Sequence, residues 1–165
     1  MEAHAALDRF WAEFDDRVAR DGEAAARDAL DELVAHLPAG ESAFERAGVR
    51  DSTGLTAEAV PLYREALAAG LDPYRHRRAV IQLASSLRAL GRPDEAVALL
   101  EPELAVRGEL DDAVRAFLAL AYADTGRALD GVALALTALA DHLPRYQRSV
   151  RNYARLLTHP EEITP

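Results

Sequence analysis

The sequence predicts an all-α fold of antiparallel helical hairpins, stacked side by side and closed by a C-terminal capping helix. Three observations carry this. Ala (35) and Leu (24) fill over a third of the 165 residues, against two Ile and few aromatics, a composition that favours helix over strand. Gly22, Gly54, Gly91 and Gly126 each separate two stretches of helical apolar spacing, at intervals of 32, 37 and 35 residues. Val34-Ala35-His36-Leu37-Pro38 returns as Leu139-Ala140-Asp141-His142-Leu143-Pro144, with His36 and His142 106 residues apart, three periods of a helical-hairpin repeat. Gly70-Leu71-Asp72-Pro73 and Gly108-Glu109-Leu110-Asp111 fall at the equivalent boundaries between them.

The elements follow in order. Residues 2–20 carry Leu7, Phe10, Trp11, Phe14 and Val18 three or four apart, one apolar stripe of a helix. Residues 23–36 pair with it, with Ala26, Leu30, Leu33 and Val34 inward, to make a first hairpin of about 2–36. The second hairpin, about 41–69, joins helices over 41–52 and 56–69, with Thr56 as N-cap and Gly70 as stop. The third, about 73–106, joins 73–90 to 94–106; Asp72-Pro73 caps its first helix and Pro93 starts its second. The fourth, about 111–141, joins 111–125 to 128–141, and Asp111-Asp112 sit at the positive end of the helix dipole. A helix over 144–157, starting at Pro144 and burying Tyr146, Val150, Tyr153 and Leu157, caps the stack. The expectation is a single domain over 1–157, with 158–165 as a tail.

Short Gly-containing turns force the two helices of a hairpin to run antiparallel in contact. Close approach needs small residues at the crossing, and Ala47, Ala59, Ala84, Ala96 and Ala119 supply them. No such hairpin buries its apolar faces alone, so each leans on its neighbours.

These residues also resemble a known family. Gly91-Arg92-Pro93-Asp94-Glu95-Ala96-Val97 resembles the turn and second-helix start of a tetratricopeptide repeat, with Leu83-Ala84 and Leu87 at the upstream large, small and large positions. Leu118-Ala119 with Tyr122 and Gly126 repeats the arrangement, and Ala59, Tyr63 and Ala66 match the second helix of the unit before. Trp11, Phe14, Val18 and Gly22 fit a first helix, with Pro38 closing that unit. The matches run from about residue 8 to 143; the third hairpin is the best, and Gly131 stands where the fourth unit should have Ala. The runs Ala59–Leu67 and Arg77–Arg88 are similar to the small bacterial proteins grouped as tetratricopeptide repeat group 5. The resemblance implies a right-handed α-solenoid, a protein–protein interaction role, dimerisation among relatives, no catalytic activity and no cofactor.

Charge and motifs narrow the function further. With 28 acids against 19 bases, all Arg, the net charge is −9, which argues against nonspecific nucleic-acid binding. No apolar run reaches the ~20 residues of a membrane span. The start has acid where a signal peptide has base, which predicts a cytoplasmic chain. With no Cys there is no disulfide, thiolate–zinc site or thiol nucleophile. No P-loop, dinucleotide fingerprint, zinc-protease helix or nucleophile elbow occurs. His4, His36, His76, His142 and His159 lie on different elements, and no metal site is expected; His36 and His142 read as helix-end residues. Asp15-Asp16 and Asp111-Asp112 are adjacent pairs about 100° apart on a helix, so neither forms a shared-proton dyad. Phe10, Trp11 and Phe14 read as core, with partner contact as the alternative.

The most informative feature is the arginine placement. Arg78, Ile81, Ser85 and Arg88 fall on one helical face, distinct from the Val80, Leu83, Leu87 stripe. Arg145, Arg148, Asn152 and Arg155 form a polar face on the final helix, and Ala113, Ala116, Leu120 and Ala123 offer small residues between the two. First helices of such repeats line a concave groove, so the expectation is a partner-binding groove of Arg78, Ile81, Ser85, Arg88, Leu120, Arg148 and Asn152. It would suit an acidic peptide or a C-terminal carboxylate. The competing reading makes these arginines solvated faces that balance nearby acids, as at Arg77 or Arg107. The chain has no Lys and one Asn, so it lacks the Lys/Asn carboxylate clamp of chaperone-binding repeats. The functional expectation is a non-catalytic protein-binding module; the alternative is a self-associating homodimer without a peptide ligand. The acidity is uneven: residues 1–70 hold 15 acids and 7 bases, residues 71–165 hold 13 and 12.

Overall fold

The computed structural model describes residues 2–159 and 161. Among these are ten α-helices, one 3-10 turn and no strand, so the fold is all-α with hairpins in series. The helices are α1 (Glu2–Ala12), α2 (Phe14–Asp21), α3 (Glu23–Val34), α4 (Ala39–Ser52) and α5 (Thr56–Ala69). They continue with α6 (Pro73–Ala89), α7 (Pro93–Leu100), α8 (Asp111–Asp124), α9 (Ala128–Ala140) and α10 (Gln147–Thr158). Contacts group the chain into two compact units, 1–86 and 87–165.

One device builds three of the turns. Leu55, Arg92 and Arg127 each donate a backbone N–H to the carbonyl five residues earlier, Arg50, Leu87 and Tyr122, at 2.8, 2.9 and 2.8 Å. In each, the intervening glycine (Gly54, Gly91, Gly126) has φ between 75° and 81°, the left-handed geometry that ends a helix in a Schellman motif. The closing residue is also the N-cap of the next helix, so the chain reverses with no spare residue. Arg92 and Arg127 add a side-chain brace, donating to Glu95 and Asp130 three residues on.

In the first unit, α1 and α2 divide the helix expected over 2–20. The break at Glu13 keeps its hydrogen bonds, Glu13 N–H to Arg9 and Arg17 N–H to Glu13, so the apolar stripe passes through it. Leu7, Phe10, Leu30, Val34 and Val49 form a buried cluster, with Trp11, Phe14, Leu33 and Leu37 against it. The α4–α5 crossing is built on Ala47 and Ala59, both fully buried. Thr56 is not the N-cap of α5: Leu55 holds that position, and no side chain caps the helix end. Asp72 does cap α6, accepting the N–H groups of Tyr74 and Arg75 at 3.0 Å each.

In the second unit, α7 packs on α8, α8 on α9 and α9 on α10. The helix expected to 106 stops at Leu100, because Pro102 has no N–H for the ladder and its ring crowds the preceding turn; a 3-10 turn, Pro102–Ala105, follows. The last helix starts at Gln147, not Pro144, after Tyr146 takes a left-handed φ of 69°. That entry sets which face is covered. Ala154 is buried with Val150 and Leu157 partly so, whereas Tyr146 and Tyr153, expected inside, are 75% and 65% exposed. Thr158 closes α10, and most of the expected tail lies outside the described residues.

Candidate functional site

The residues expected to line a groove fall in very different surroundings. In the first unit, Arg78 is half-buried on α6, its guanidinium carbon 5.1 Å from the Phe44 ring centroid and 5.9 Å from that of Tyr74. Stacking on two rings fixes a guanidinium without using its N–H donors. Ile81 is 6% exposed and belongs to the core, so it is not a contact residue of an open face. Ser85 is half-buried. Arg77, expected on a solvated face, is 5% exposed: a helix covered on most sides leaves little of its circumference to water.

Beside Arg78 lies a cavity of about 230 Å³, lined by Trp11, Phe44, Glu45, Gly48, Ser52, Arg78 and Gln82. Helix α4 contributes four of these, because Phe44, Gly48 and Ser52 recur at four-residue spacing and Glu45 is adjacent. Glu45 is only 6% exposed, and the Trp11 indole N–H donates to its Oε2 at 2.7 Å. Burial holds the Glu45 carboxyl above its ordinary range, against the opposing pull of the Trp11 hydrogen bond and of the Arg78 and Arg75 charges. Gln82 Oε1 and the Tyr63 hydroxyl are buried without a hydrogen-bond partner among the described residues. Sequence reasoning missed Glu45. The available signal was an acid inside the run Ala43, Phe44, Ala47, Val49, which is otherwise apolar and buried.

In the second unit, Arg88 forms an ion pair with Asp124, its Nε 2.5 Å from Oδ2, and is engaged within its own surface. Leu120 is 45% exposed on α8. Arg148 and Asn152 stand exposed on α10; Arg155 donates to Asn152 Oδ1 at 3.3 Å and Arg151 pairs with Asp141. Arg148, Ser149, Arg151, Asn152, Tyr153 and Arg155 together line a shallow concavity on this helix. The outer face of α9 carries Leu129 (59% exposed), Val132 (47%) and Leu139 (49%), with Leu136 half-buried between them.

The histidines serve as local partners. His142 meets Asp112 Oδ2 at 2.9 Å and His4 meets Glu41 Oε2 at 3.0 Å. Among the described residues no group of three His, Asp or Glu side chains is placed to hold a metal ion. Asp15-Asp16 and Asp111-Asp112 occupy first turns of α2 and α8, where carboxylates oppose the helix dipole.

A protein-family model described as Tetratrico peptide repeat matches residues 40–157. The chain belongs to this family. The match takes in α4 to α10, including the last helix, and starts after the first hairpin. No curated protein and no solved structure matches. Tetratricopeptide repeats are protein–protein interaction modules and generally have no catalytic role, so protein partners follow from membership. No described helix is long and apolar enough to cross a membrane.

Proposed function

We propose that this tetratricopeptide protein is a non-catalytic binding module that takes an acidic peptide, or one ending in a free carboxylate, on the face of α10 bearing Arg148 and Asn152. One observation carries the reading. In a chain of net charge −9, where most arginines have an acid against them, Arg148 stands exposed beside Tyr153 and Asn152 with no ion pair among the described residues. Arginine and tyrosine are enriched among residues that dominate binding energy, and a guanidinium recognises a carboxylate through paired N–H donors. Ser149 and Asn152 add neutral hydrogen-bonding groups along the same helix.

Fluorescence anisotropy with a labelled glutamate-rich peptide tests this. The Arg148→Glu change, which reverses the charge without touching the core, should weaken binding about tenfold or more, and added salt should weaken the parent protein's binding. Equal affinity in the parent and the R148E protein would sink the reading. A second reading, a homodimer, is favoured by α9, which has one charged residue, Asp130, and a leucine and valine stripe at three- and four-residue spacing. Such a face can meet its own copy without like-charge repulsion. A strict monomer by sedimentation at all concentrations removes it.

A further inference from the structure

The cavity of the first unit contains bonding capacity that the fold leaves unused. Glu45 is a buried acid whose one hydrogen bond comes from the Trp11 indole to Oε2, so Oε1 accepts from nothing among the described residues. Burying a carboxylate this deeply with a single neutral donor is costly, and native interiors rarely leave such a group underused. In the lining of the same cavity, the Arg78 guanidinium lies over Phe44 and Tyr74 and makes no ion pair among the described residues. Had the two charges evolved only to neutralise each other, a direct contact would be the cheaper arrangement. Instead each is held by aromatic neighbours, the acid by Trp11 and the guanidinium by two rings, and both line the cavity.

The rest of the lining fits a small polar molecule. Gln82, which lines the cavity, has its Oε1 buried without a donor among the described residues. Gly48 keeps the floor low: a Cβ there would stand 3.4 Å from the Trp11 ring. The volume, about 230 Å³, is below the ~300 Å³ at which drug-sized pockets begin. That size suits a small molecule and is too little to seat a whole helix.

We infer that this cavity binds a small zwitterion of the free α-amino-acid class, its carboxylate on the Arg78 guanidinium and its ammonium on Glu45 Oε1. Two opposite charges a few atoms apart on one small molecule are what the paired, separated groups would satisfy. The Trp11 and Phe44 rings add faces for a short apolar side chain or the ammonium itself. The site is independent of the α10 face, and either reading stands if the other fails.

Trp11 is the single tryptophan of the chain and lines the cavity, so its emission reports occupancy directly. The full-length protein is titrated with glycine, L-alanine, L-serine and L-valine, and then with N-acetyl-L-alanine and L-alaninamide, each lacking one charge. The expected result is a saturable change with at least one free amino acid. Both blocked analogues should bind about tenfold or more weakly, the loss expected for one charge-assisted hydrogen bond. Arg78→Gln and Glu45→Gln should each abolish the response while keeping the helical circular dichroism; Arg148→Gln should leave it unchanged. Silence with every free amino acid, meaning a cavity filled by water alone, overturns the inference. So does equal binding of the acetylated or amidated analogue.

Discussion

Replacing Gly131 by alanine should destabilise this protein, although the same change inside an open helix strengthens one. Gly131 is buried on α9, and a Cβ built on it would lie 2.6 Å from the carbonyl oxygen of Ala119 on α8. Real Cβ contacts keep beyond 3.0 Å and mostly beyond 3.4 Å, so the two helices would have to part by 0.4 to 0.8 Å, the differences from 2.6 Å. The obstacle is helical backbone, which cannot rotate aside as a side chain can. Overpacking of this kind costs about 1–3 kcal/mol, whereas the gain in helix propensity from Gly to Ala is about 1 kcal/mol. The expected net effect is a loss of up to about 2 kcal/mol. Gly48 on α4 is the internal control, since its Cβ would make ordinary contacts of 3.4 and 3.5 Å with the edge of Trp11. G48A should therefore be neutral or gain up to about 1 kcal/mol. Thermal melts followed by circular dichroism read the contrast, at about 2–4 °C per kcal/mol for a chain of this size. A G131A protein that melts at or above the parent temperature would refute the close-crossing argument.

Two further predictions concern pH. Asp31 on α3 accepts from Arg50 Nη2 at 2.7 Å and Arg46 Nε at 3.2 Å, and the Arg50 hydrogen bond, followed by the two arginine charges, holds its carboxyl below the usual range. A depressed acid stabilises the fold above its unfolded pKa and loses that contribution as pH falls through the folded value. Asp31→Asn should cost about 0.5–1 kcal/mol at pH 7, modest because the pair is partly solvated, and should flatten the acid side of the Tm–pH curve. Glu45 has the opposite sign: its raised pKa means that ionised Glu45 weakens the fold once pH rises past the unfolded value. Glu45→Gln should raise Tm at pH 7, and the advantage should vanish below about pH 4, where the parent glutamate is protonated. An E45Q protein that melts lower at pH 7 would show that the buried carboxylate is well paired after all.

Much of the candidate chemistry was not legible from spacing. Helical periodicity placed Arg78, Ile81, Ser85 and Arg88 on one face, but a face is not a surface: Ile81 is buried and Arg88 is tied to Asp124. Glu45 went unnoticed because an acid beside apolar residues looks the same in sequence whether it faces water or a neighbour. Its role depends on Trp11, 34 residues away, and on Arg78, a further helix on. The final helix shows the same limit. Its stripe of Tyr146, Val150, Tyr153 and Leu157 has correct helical spacing, yet one left-handed residue at Tyr146 turns Ala154 inward and both tyrosines outward.

What the sequence alone determined were the local features: helices from Ala and Leu, the cap at Asp72, and hairpin turns from glycines in register. Each depends on interactions within a few residues, so each is written where it acts. The turns at Gly54, Gly91 and Gly126 are the clearest case, with one left-handed glycine and one five-residue hydrogen bond apiece. Only the tertiary structure decided why Gly131 departs from the expected alanine, and which charged groups end beside a cavity. Those depend on distances between helices, set by the packing of whole faces. A methyl group that fits one crossing clashes at another, and an arginine is a ligand group or a tether according to what stands opposite.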